Sequence, residues 1–317
     1  MSRATAAYPA DRLTLREVGL RDGLQIAKSL PTTEAKIAWL EAEHAAGVRH
    51  YEVGSFLPAT RFPQFADIDA MIATSERLNM HSAGLTLSER GAEAAVQTAI
   101  REMVCVVSAT EEHSQANMRR SREAAVELVG KVVAMRDAEA PDKLVNAGIA
   151  MALGCSIAGN VDPEEVIRLA AACLDAGADI VGIADTVGYA GPKAVGNLCA
   201  RMEKLCGARP FIIHLHDTRG MGIANAAAAL DNGARVIDAS LGGLGGCPFA
   251  PGATGNVVFE DIVFLAESMG FATNIELERL KEVRRIAEDA MPGEEFHGAL
   301  HRAGPPKNAK WQAVGAA

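Results

Sequence analysis

Short apolar runs of β type alternate with amphipathic helical patterns along nearly the whole chain. The runs are rich in valine, isoleucine and leucine, and the segments between them repeat apolar residues at helical spacing. This alternation is typical of strand–helix units on a parallel sheet. The pattern predicts eight strands: Leu13–Val18, His50–Val53, His81–Leu85, Glu102–Val107, Leu144–Ala150, Asp179–Ile183, Phe211–Leu215 and Arg235–Ala239.

Local signals mark where several of the intervening helices begin and end. Asp162 precedes Pro163 and two glutamates, which predicts an N-cap, a proline in the first turn and acidic residues near the positive end of the helix. Gly47, Gly177 and Gly233 each stand just before a predicted strand, where a helix commonly ends in a left-handed residue.

Eight strand–helix pairs predict a closed (β/α)8 TIM barrel, for which about 250 residues is typical. We therefore expect a catalytic barrel domain over residues 1–270 and a C-terminal helical extension and tail over residues 271–317. The competing fold is a doubly wound open sheet. It is disfavoured because no G-x-G-x-x-G motif follows the first strand, and because an open sheet would leave the polar strand ends in a line instead of around one mouth.

The C-terminal segment predicts one more helix. Residues 274–289 carry isoleucine, leucine and valine on one face and charged residues on the other. We expect this helix to cover part of the barrel or a partner subunit. The later stretch HGALHRAGPPKNAKWQ predicts a loop or lid.

Composition narrows the class of protein. The chain has 317 residues, a hydrophobic fraction of 49% and a formal charge of -9, without a cluster of basic residues. This balance disfavours nucleic-acid or membrane partners. No leader-like or membrane-spanning apolar stretch is present, so we expect a soluble, cytoplasmic protein. The six cysteines lack C-x-x-C spacing, which disfavours a zinc knuckle or a disulfide framework.

The clearest chemical signal is the pair His214 and His216 at the end of the seventh predicted strand. Side chains two apart on a strand leave the same face, so both imidazoles can reach one metal ion. Asp22, after the first strand, would add a hard oxygen ligand suited to Mg²⁺, Mn²⁺, Fe²⁺ or Zn²⁺. The alternative is that the imidazoles only form hydrogen bonds and that Asp22 belongs to an exposed turn.

Other charged residues follow the strands. Arg21 can hold a substrate oxygen through its planar guanidinium. Glu52 ends the second strand and Asp185 the sixth. Either carboxylate could neutralise Arg21, orient a histidine or act as a base, although Asp185 could also be a plain helix N-cap.

A glycine-rich loop, LGGLGGCPFAPGATGN, follows the eighth strand. Its Cys247 is a candidate acid, base or nucleophile, and Asn256 could offer an amide oxygen to a hard metal. Glu260, one helical turn further on, lies within range of either residue. A phosphate-binding loop is the alternative, but the lysine and hydroxyl residue of a P-loop are absent.

Together these motifs resemble the 3-hydroxy-3-methylglutaryl-CoA (HMG-CoA) lyase family, part of a superfamily of metal-dependent lyases and synthases built on a TIM barrel. The resemblance covers residues 15–270 and rests on EVGLRDGLQ, EVGSF, Pro63-Gln64, HLHDTRG and GLGGCPFAPGATGN.

The resemblance also implies roles for individual residues. Asp22, His214, His216 and Asn256 match ligands of a divalent metal, usually Mg²⁺ or Mn²⁺. Arg21 matches the residue that stabilises the enolate, and Cys247 the cysteine needed for turnover. Glu52, Asp185 and Glu260 match acidic positions that perform or support proton transfer.

The implied reaction is retro-Claisen cleavage of an acyl-CoA that carries a 3-hydroxyl group and a carboxylate, with acetyl-CoA as one product and leucine degradation as the expected context. The chain departs from the family pattern at Leu20, Ile26-Ala27, Gly182-Ile183-Ala184 and Arg219-Gly220-Met221. These departures leave the identity of the substrate's 3-substituent open. Citramalyl-CoA, or a homologue with a longer 3-substituent, is the alternative substrate to HMG-CoA.

Two rival functions are a Claisen-condensing synthase of the isopropylmalate type and a barrel that binds acyl-CoA or metal without turnover. The short C-terminal segment disfavours the first rival, and the complete set of ligand and cysteine positions disfavours the second. By resemblance we expect a homodimer.

Overall fold

The structure, a computed structural model, describes residues 2–246 and 255–307. Its centre is a closed barrel of eight parallel strands in chain order, in which β1 pairs with both β2 and β8. This closure confirms the predicted TIM barrel and rules out the open doubly wound sheet. The strands are β1 Thr14–Glu17, β2 His50–Ser55, β3 His81–Leu85, β4 Glu102–Ser108, β5 Leu144–Ala150, β6 Ile180–Asp185, β7 Ile212–Leu215 and β8 Val236–Ala239.

Helices surround the barrel and connect successive strands. They are α1 Arg3–Ala7, α2 Thr33–Ala46, α3 Ile68–Arg77, α4 Glu89–Val96, α5 Glu111–Met118, α6 Arg122–Glu139, α7 Pro163–Asp175, α8 Pro192–Cys206, α9 Gly222–Asp231, α10 Phe259–Ser268, α11 Leu277–Ala290 and α12 Ala299–Ala303. The side chain of Asp162 accepts a hydrogen bond from the Glu164 amide at 2.9 Å, which confirms the predicted N-cap of α7. Gly47 ends α2 in the left-handed region, with φ 109°.

The segment before β1 closes the bottom of the barrel. Ala4 of α1 and Tyr8 pack in a buried cluster with Leu144, Ile180, Ile212 and Val236, which lie on four strands. The sequence pattern did not predict α1, because five residues are too few to show helical periodicity. Its burial makes the N-terminal segment part of the folded core.

The C-terminal segment packs on the outside of the barrel. The Glu276 amide donates to the Ala46 carbonyl at 2.7 Å, which joins the start of α11 to the end of α2. The predicted helix over residues 274–289 is confirmed as Leu277–Ala290. Within the stretch predicted as loop or lid, residues 299–303 form the short helix α12, whose first amides donate to Asp261 at 2.8 Å. That part of the prediction is wrong, because the Asp261 carboxylate caps a turn that has little periodicity of its own. Residues 308–312 of the same stretch lie outside the described residues. The division at residue 270 stays a prediction.

Among residues 2–246 and 255–307, none of the helices combines the length and the hydrophobicity that a membrane-spanning segment needs. The five described cysteines are buried, and no disulfide joins any two of them. Burial raises the pKa of the Cys105 and Cys173 thiols to about 12, so neither is a ready nucleophile.

Candidate active site

Four of the predicted site residues meet at the carboxyl ends of the strands. Asp22 Oδ2 lies 3.9 Å from His214 Nε2 and 3.7 Å from His216 Nε2. The two imidazole Nε2 atoms are 3.1 Å apart. The Asn256 side-chain amide donates to Asp22 Oδ2 at 2.8 Å. The barrel therefore gathers residues from the turn after β1, the end of β7 and the end of the glycine-rich loop at one point.

Backbone pairing explains why Asn256 reaches this point. The Val257 amide donates to the Leu215 carbonyl at 3.0 Å, and the Asp217 amide donates to the Gly255 carbonyl at 3.0 Å. The end of the loop thus runs beside the end of β7, which places Asn256 next to His216. The predicted role of Asn256 as a metal ligand stays a prediction.

The arrangement fits a divalent metal ion. Potential ligand atoms of Asp22, His214 and His216 lie within 4.8 Å of one another. Two ligands at right angles around an ion with bonds of about 2.1 Å would be about 3.0 Å apart, close to the 3.1 Å between the imidazole nitrogens. The Asn256 side-chain oxygen is buried and has no hydrogen-bond partner among the described residues. A buried, unpaired oxygen beside a carboxylate and two imidazoles suits a hard cation.

Electrostatics keep Asp22 ionised. Burial alone would raise the pKa of this carboxyl group, but the Arg21 guanidinium and the two histidines outweigh burial and hold the pKa well below its ordinary value. Arg21 Nη1 lies 2.6 Å from Asp22 Oδ1, whereas the atom that faces the imidazoles is Oδ2. One carboxylate oxygen is thus paired with Arg21 and the other faces the candidate metal position.

Arg21 is held between two carboxylates. Its Nε lies 2.8 Å from Glu52 Oε2, and Glu52 itself is 1% exposed. Burial raises the pKa of Glu52, and the Arg21 charge opposes this effect. Both residues lie at the mouth, as the sequence predicts, and the ion pair restricts where the Arg21 guanidinium can point.

Asp238 is a site residue that sequence reasoning missed. It lies on β8, and its Oδ2 is 3.2 Å from His214 Nδ1. Burial lowers the pKa of His214, but the hydrogen bond with Asp238 and the charge of Asp22 raise it above its ordinary value. The signal in the sequence was a carboxylate inside the apolar run RVIDA, whereas its position beside His214 is known only from the register of the sheet.

Asp185 lies at the end of β6 and accepts hydrogen bonds from the Tyr189 amide at 2.8 Å and the Ala190 amide at 3.1 Å. These bonds anchor the turn after β6. The helix after this turn has Gly191 at its N-cap, so Asp185 is not the helix cap that the sequence left open as an alternative. Burial raises the pKa of Asp185, against the lowering effect of the two amides. A role in proton transfer stays a prediction.

Two buried carboxylates hold the start of the glycine-rich loop. Glu17 Oε1 accepts from the Leu241 amide at 3.0 Å, and Glu260 Oε2 accepts from the Gly242 amide at 2.9 Å. The other Glu260 oxygen lies 3.3 Å from Arg284 of α11. Glu260 therefore holds the start of the loop at Gly242. Cys247 itself lies outside the described residues, so its predicted role stays a prediction.

An open cavity of about 390 Å³ lies between the loops after β5, β6 and β7. Gly154, Asn160, Tyr189 and Arg219 are among its lining residues. The Arg219 guanidinium lies 4.6 Å from the centre of the Tyr189 ring and donates to the Val187 carbonyl at 2.9 Å. One of the departures from the family pattern, Arg219, thus lines a cavity beside the turn that Asp185 anchors.

Comparisons with known proteins bear on this geometry. The HMGL-like family model matches residues 12–287. The hydroxymethylglutaryl-CoA lyase of Bacillus subtilis is 34% identical over 285 residues, which cover 90% of this chain and 94% of that enzyme. The (R)-citramalyl-CoA lyase of Chloroflexus aurantiacus is 35% identical over 283 residues, which cover 85% of this chain and 88% of that enzyme.

A solved structure is similar over the same region. The HMG-CoA lyase from Acinetobacter baumannii, in complex with coenzyme A and 3-methylmalate, has a TM-score of 0.86 and 32% sequence identity, covering 95% of this chain and 98% of that one. Since the family model and relatives above 30% identity each cover most of the sequence, the chain belongs to the HMGL-like family.

Proposed function

We propose that this protein is a divalent-metal-dependent carbon–carbon lyase that cleaves an HMG-CoA-like substrate to acetyl-CoA and a keto acid. The observation that carries the proposal is the convergence of Asp22, His214, His216 and Asn256 beside the Arg21–Glu52 pair. Family membership supports the same reaction class. With HMG-CoA as substrate, the keto acid would be acetoacetate.

Asp22, His214, His216 and Asn256 would hold Mg²⁺ or Mn²⁺. A divalent ion at that position supplies Lewis acidity, which lowers the pKa of a substrate hydroxyl group. The protein contributes a carboxylate, two imidazoles and an amide oxygen, a set suited to hard ions. The choice of Mg²⁺ or Mn²⁺ as the bound ion is proposed from the family resemblance.

Arg21 would stabilise the charge that develops during cleavage. When the C2–C3 bond breaks, its electron pair moves toward the thioester and the thioester oxygen becomes negative. A guanidinium fixed by Glu52 and Asp22 is already oriented for that oxygen, so it needs little reorganisation during the reaction.

Cleavage also requires two proton transfers. The proton of the 3-hydroxyl group leaves as its carbon becomes a carbonyl, and a proton is added to C2 to give acetyl-CoA. Glu52 and Asp185 are candidate bases because burial raises the pKa of both. Cys247 is the candidate donor to C2, and Glu260 supports the loop from which it acts.

The alternative substrate is citramalyl-CoA or another 3-substituted 3-hydroxyacyl-CoA. Similarity to the Chloroflexus enzyme favours this alternative as a specific second candidate. We propose that the cavity lined by Tyr189 and Arg219 accepts the 3-substituent and that Arg219 supplies a positive charge for its carboxylate. A role in leucine degradation applies only if HMG-CoA is the better substrate.

We further propose a homodimer that works in the cytoplasm. Family resemblance supports the first point, and light scattering coupled to size-exclusion chromatography tests it. A mass equal to that of one chain would contradict it.

The test of the reaction is release of acetyl-CoA from HMG-CoA and from citramalyl-CoA, measured in parallel with Mg²⁺ and then Mn²⁺. We expect one substrate to be cleaved efficiently, Asp22→Asn to lose metal-dependent turnover, and Cys247→Ala to be nearly inactive. Asp231→Asn, at an exposed position at the end of α9, is the matched control and should retain wild-type turnover.

Three outcomes would contradict parts of this proposal. Wild-type turnover in Cys247→Ala would remove that residue from the mechanism. Condensation of acetyl-CoA with a 2-oxo acid, without cleavage, would favour the synthase. Metal binding without cleavage of either substrate would contradict the proposed reaction and favour a barrel that only binds.

A further inference from the structure

A line of buried polar side chains begins at His214 and runs down the inside of the barrel. His214 Nδ1 is 3.2 Å from Asp238 Oδ2, and the other Asp238 oxygen is 3.0 Å from Arg16 Nε. Arg16 Nη1 then lies 2.9 Å from Glu102 Oε1. The line joins the candidate metal position to the lower half of the barrel.

Strand register brings the upper three residues together. His214 on β7 pairs with Asp238 on β8, and Asp238 pairs with Arg16 on β1. They therefore lie at one level on three adjacent strands, with their side chains on the inner face. A side chain two positions away would lie at another level, so this contact depends on the register of the closed sheet.

The lower end of the line is fixed by further hydrogen bonds. Glu102 accepts from the Tyr8 hydroxyl, from Asn146 Nδ2 at 2.8 Å and from His81 Nε2 at 2.9 Å. Arg16 is 2% exposed and Glu102 is 0% exposed. The Arg16 guanidinium is thus held from below by a carboxylate that is itself fixed.

The buried charged residues Asp238, Arg16 and Glu102 are unusual for the inside of a TIM barrel, which is normally filled by branched aliphatic side chains. A buried ion pair adds little to stability compared with well-packed apolar residues. Arg16 lies between two carboxylates, and one of them contacts a histidine whose Nε2 faces Asp22 and His216. The contact with His214 gives this charged group a use beyond packing.

A carboxylate on Nδ1 of a metal-binding histidine fixes the ring orientation and the tautomer that leaves Nε2 free for the ion. We infer that Asp238 positions His214 for metal binding and that Arg16, held by Glu102, positions Asp238. This inference rests on the metal site of the proposed function. His216 differs, because its Nδ1 has no hydrogen-bond partner among the described residues. The support therefore acts on one histidine of the pair.

The test measures metal binding to the full-length protein and needs no turnover. Affinity for Mn²⁺ and Co²⁺ is measured by isothermal titration calorimetry, and the visible spectrum of bound Co²⁺ reports the ligand geometry. We expect Asp238→Asn to weaken binding about 10- to 100-fold and to change the Co²⁺ spectrum. Arg16→Gln should weaken binding by a smaller factor, and Arg16→Lys should recover part of the loss because it keeps the charge.

A matched control is another buried arginine. Arg136 is 1% exposed and forms an ion pair with Asp179, a contact set that does not include the metal-site residues. Arg136→Gln should lower the thermal midpoint but leave Mn²⁺ affinity unchanged. If Asp238→Asn and Arg16→Gln are folded and bind Mn²⁺ within twofold of wild type, the inference is wrong.

A second measurement uses the wild-type protein and so does not depend on the folding of variants. In ¹⁵N-histidine NMR, with the His214 signals assigned by comparison with His214→Gln, we expect Nδ1 to carry a proton with and without Mg²⁺. An Nε2–H tautomer in the metal-free protein would overturn the inference. Failure of wild type to bind any ion would overturn the metal site and this inference with it, whereas binding without turnover would contradict only the proposed reaction.

Discussion

Arg21 and Asp22 are adjacent in the chain and their side chains are paired at 2.6 Å, yet the other contacts of the two side chains differ. A single turn of π-helix over Gly19–Gly23 carries both residues, and the Asp22 amide donates to the Val18 carbonyl at 2.8 Å. This tight turn directs Asp22 to the histidines and Arg21 to Glu52. Substitutions at the two positions should therefore have different effects.

We expect Arg21→Lys to lower kcat about 10²-fold or more, because one ammonium group cannot reproduce the oriented guanidinium at a developing oxyanion. Its Mn²⁺ affinity should stay within about threefold of wild type, since Arg21 supplies no ligand atom. Asp22→Asn should instead lose most Mn²⁺ affinity. Calorimetry and single-turnover kinetics on both variants test this separation. Equal losses of Mn²⁺ affinity in the two variants would show that the roles are not separable.

The sequence predicted candidate site residues where their spacing along a strand, or their position directly after a strand, indicated which way their side chains point. The spacing of His214 and His216 fixes their common face, and Asp22 follows a recognisable strand. Asp238 could not be identified in the same way, because its significance depends on which residue lies beside it on β7. That pairing is a property of the closed sheet and is not visible in any local pattern.

At the scale of elements, the glycine-rich loop after β8 is attached to the barrel by backbone bonds and buried acids. Gly242 has φ 59°, and a side chain there would meet the Phe296 ring at 2.5 Å, so glycine is required at this position. Glu17 and Glu260 accept the amides at the start of the loop. Arg284 joins Glu260 to α11, which connects the loop to the C-terminal segment.

Glu260→Gln distinguishes support of the loop from proton transfer. The glutamine oxygen can still accept the Gly242 amide, so we expect kcat within about tenfold of wild type, whereas loss of a general acid or base typically costs 10²–10⁴-fold. Glu260→Ala leaves that amide unpaired and should lower stability by about 1–3 kcal/mol. Steady-state kinetics and denaturant unfolding of both variants provide the measurements. A loss above 100-fold in a folded Glu260→Gln protein would favour proton transfer.

Elements with strong periodicity were predicted closely, and short elements were not. The eight strands and α11 lie within a few residues of their predicted bounds. The helices α1 and α12 have five residues each, too few to show helical periodicity in the sequence. Contacts with the rest of the fold hold them in place: α1 packs on the bottom of the barrel, and Asp261 caps α12. Tertiary contacts, which a single sequence does not display, determine both.

At the scale of the whole molecule, stability should fall in mild acid because the fold buries neutral histidines. His113 is 2% exposed, and burial lowers its pKa to about 4. His50 has a pKa lowered to about 3, chiefly by burial. In the unfolded chain a histidine takes up a proton below about pH 6.5. Between about pH 6.5 and pH 4 the unfolded state therefore binds more protons than the folded state, and the free energy of unfolding decreases as pH falls.

Replacing His113 should remove its share of this acid sensitivity. Measured by urea unfolding, the difference in unfolding free energy between pH 7 and pH 4.5 should be about 2 kcal/mol smaller in His113→Gln than in wild type. Each protein is compared with itself at two pH values, so any uniform loss of stability from the substitution cancels, as does the contribution of His50. His301→Gln, at an exposed position on α12, should keep the wild-type difference. An unchanged difference in His113→Gln would mean that His113 is protonated in the folded protein at pH 4.5, despite its burial.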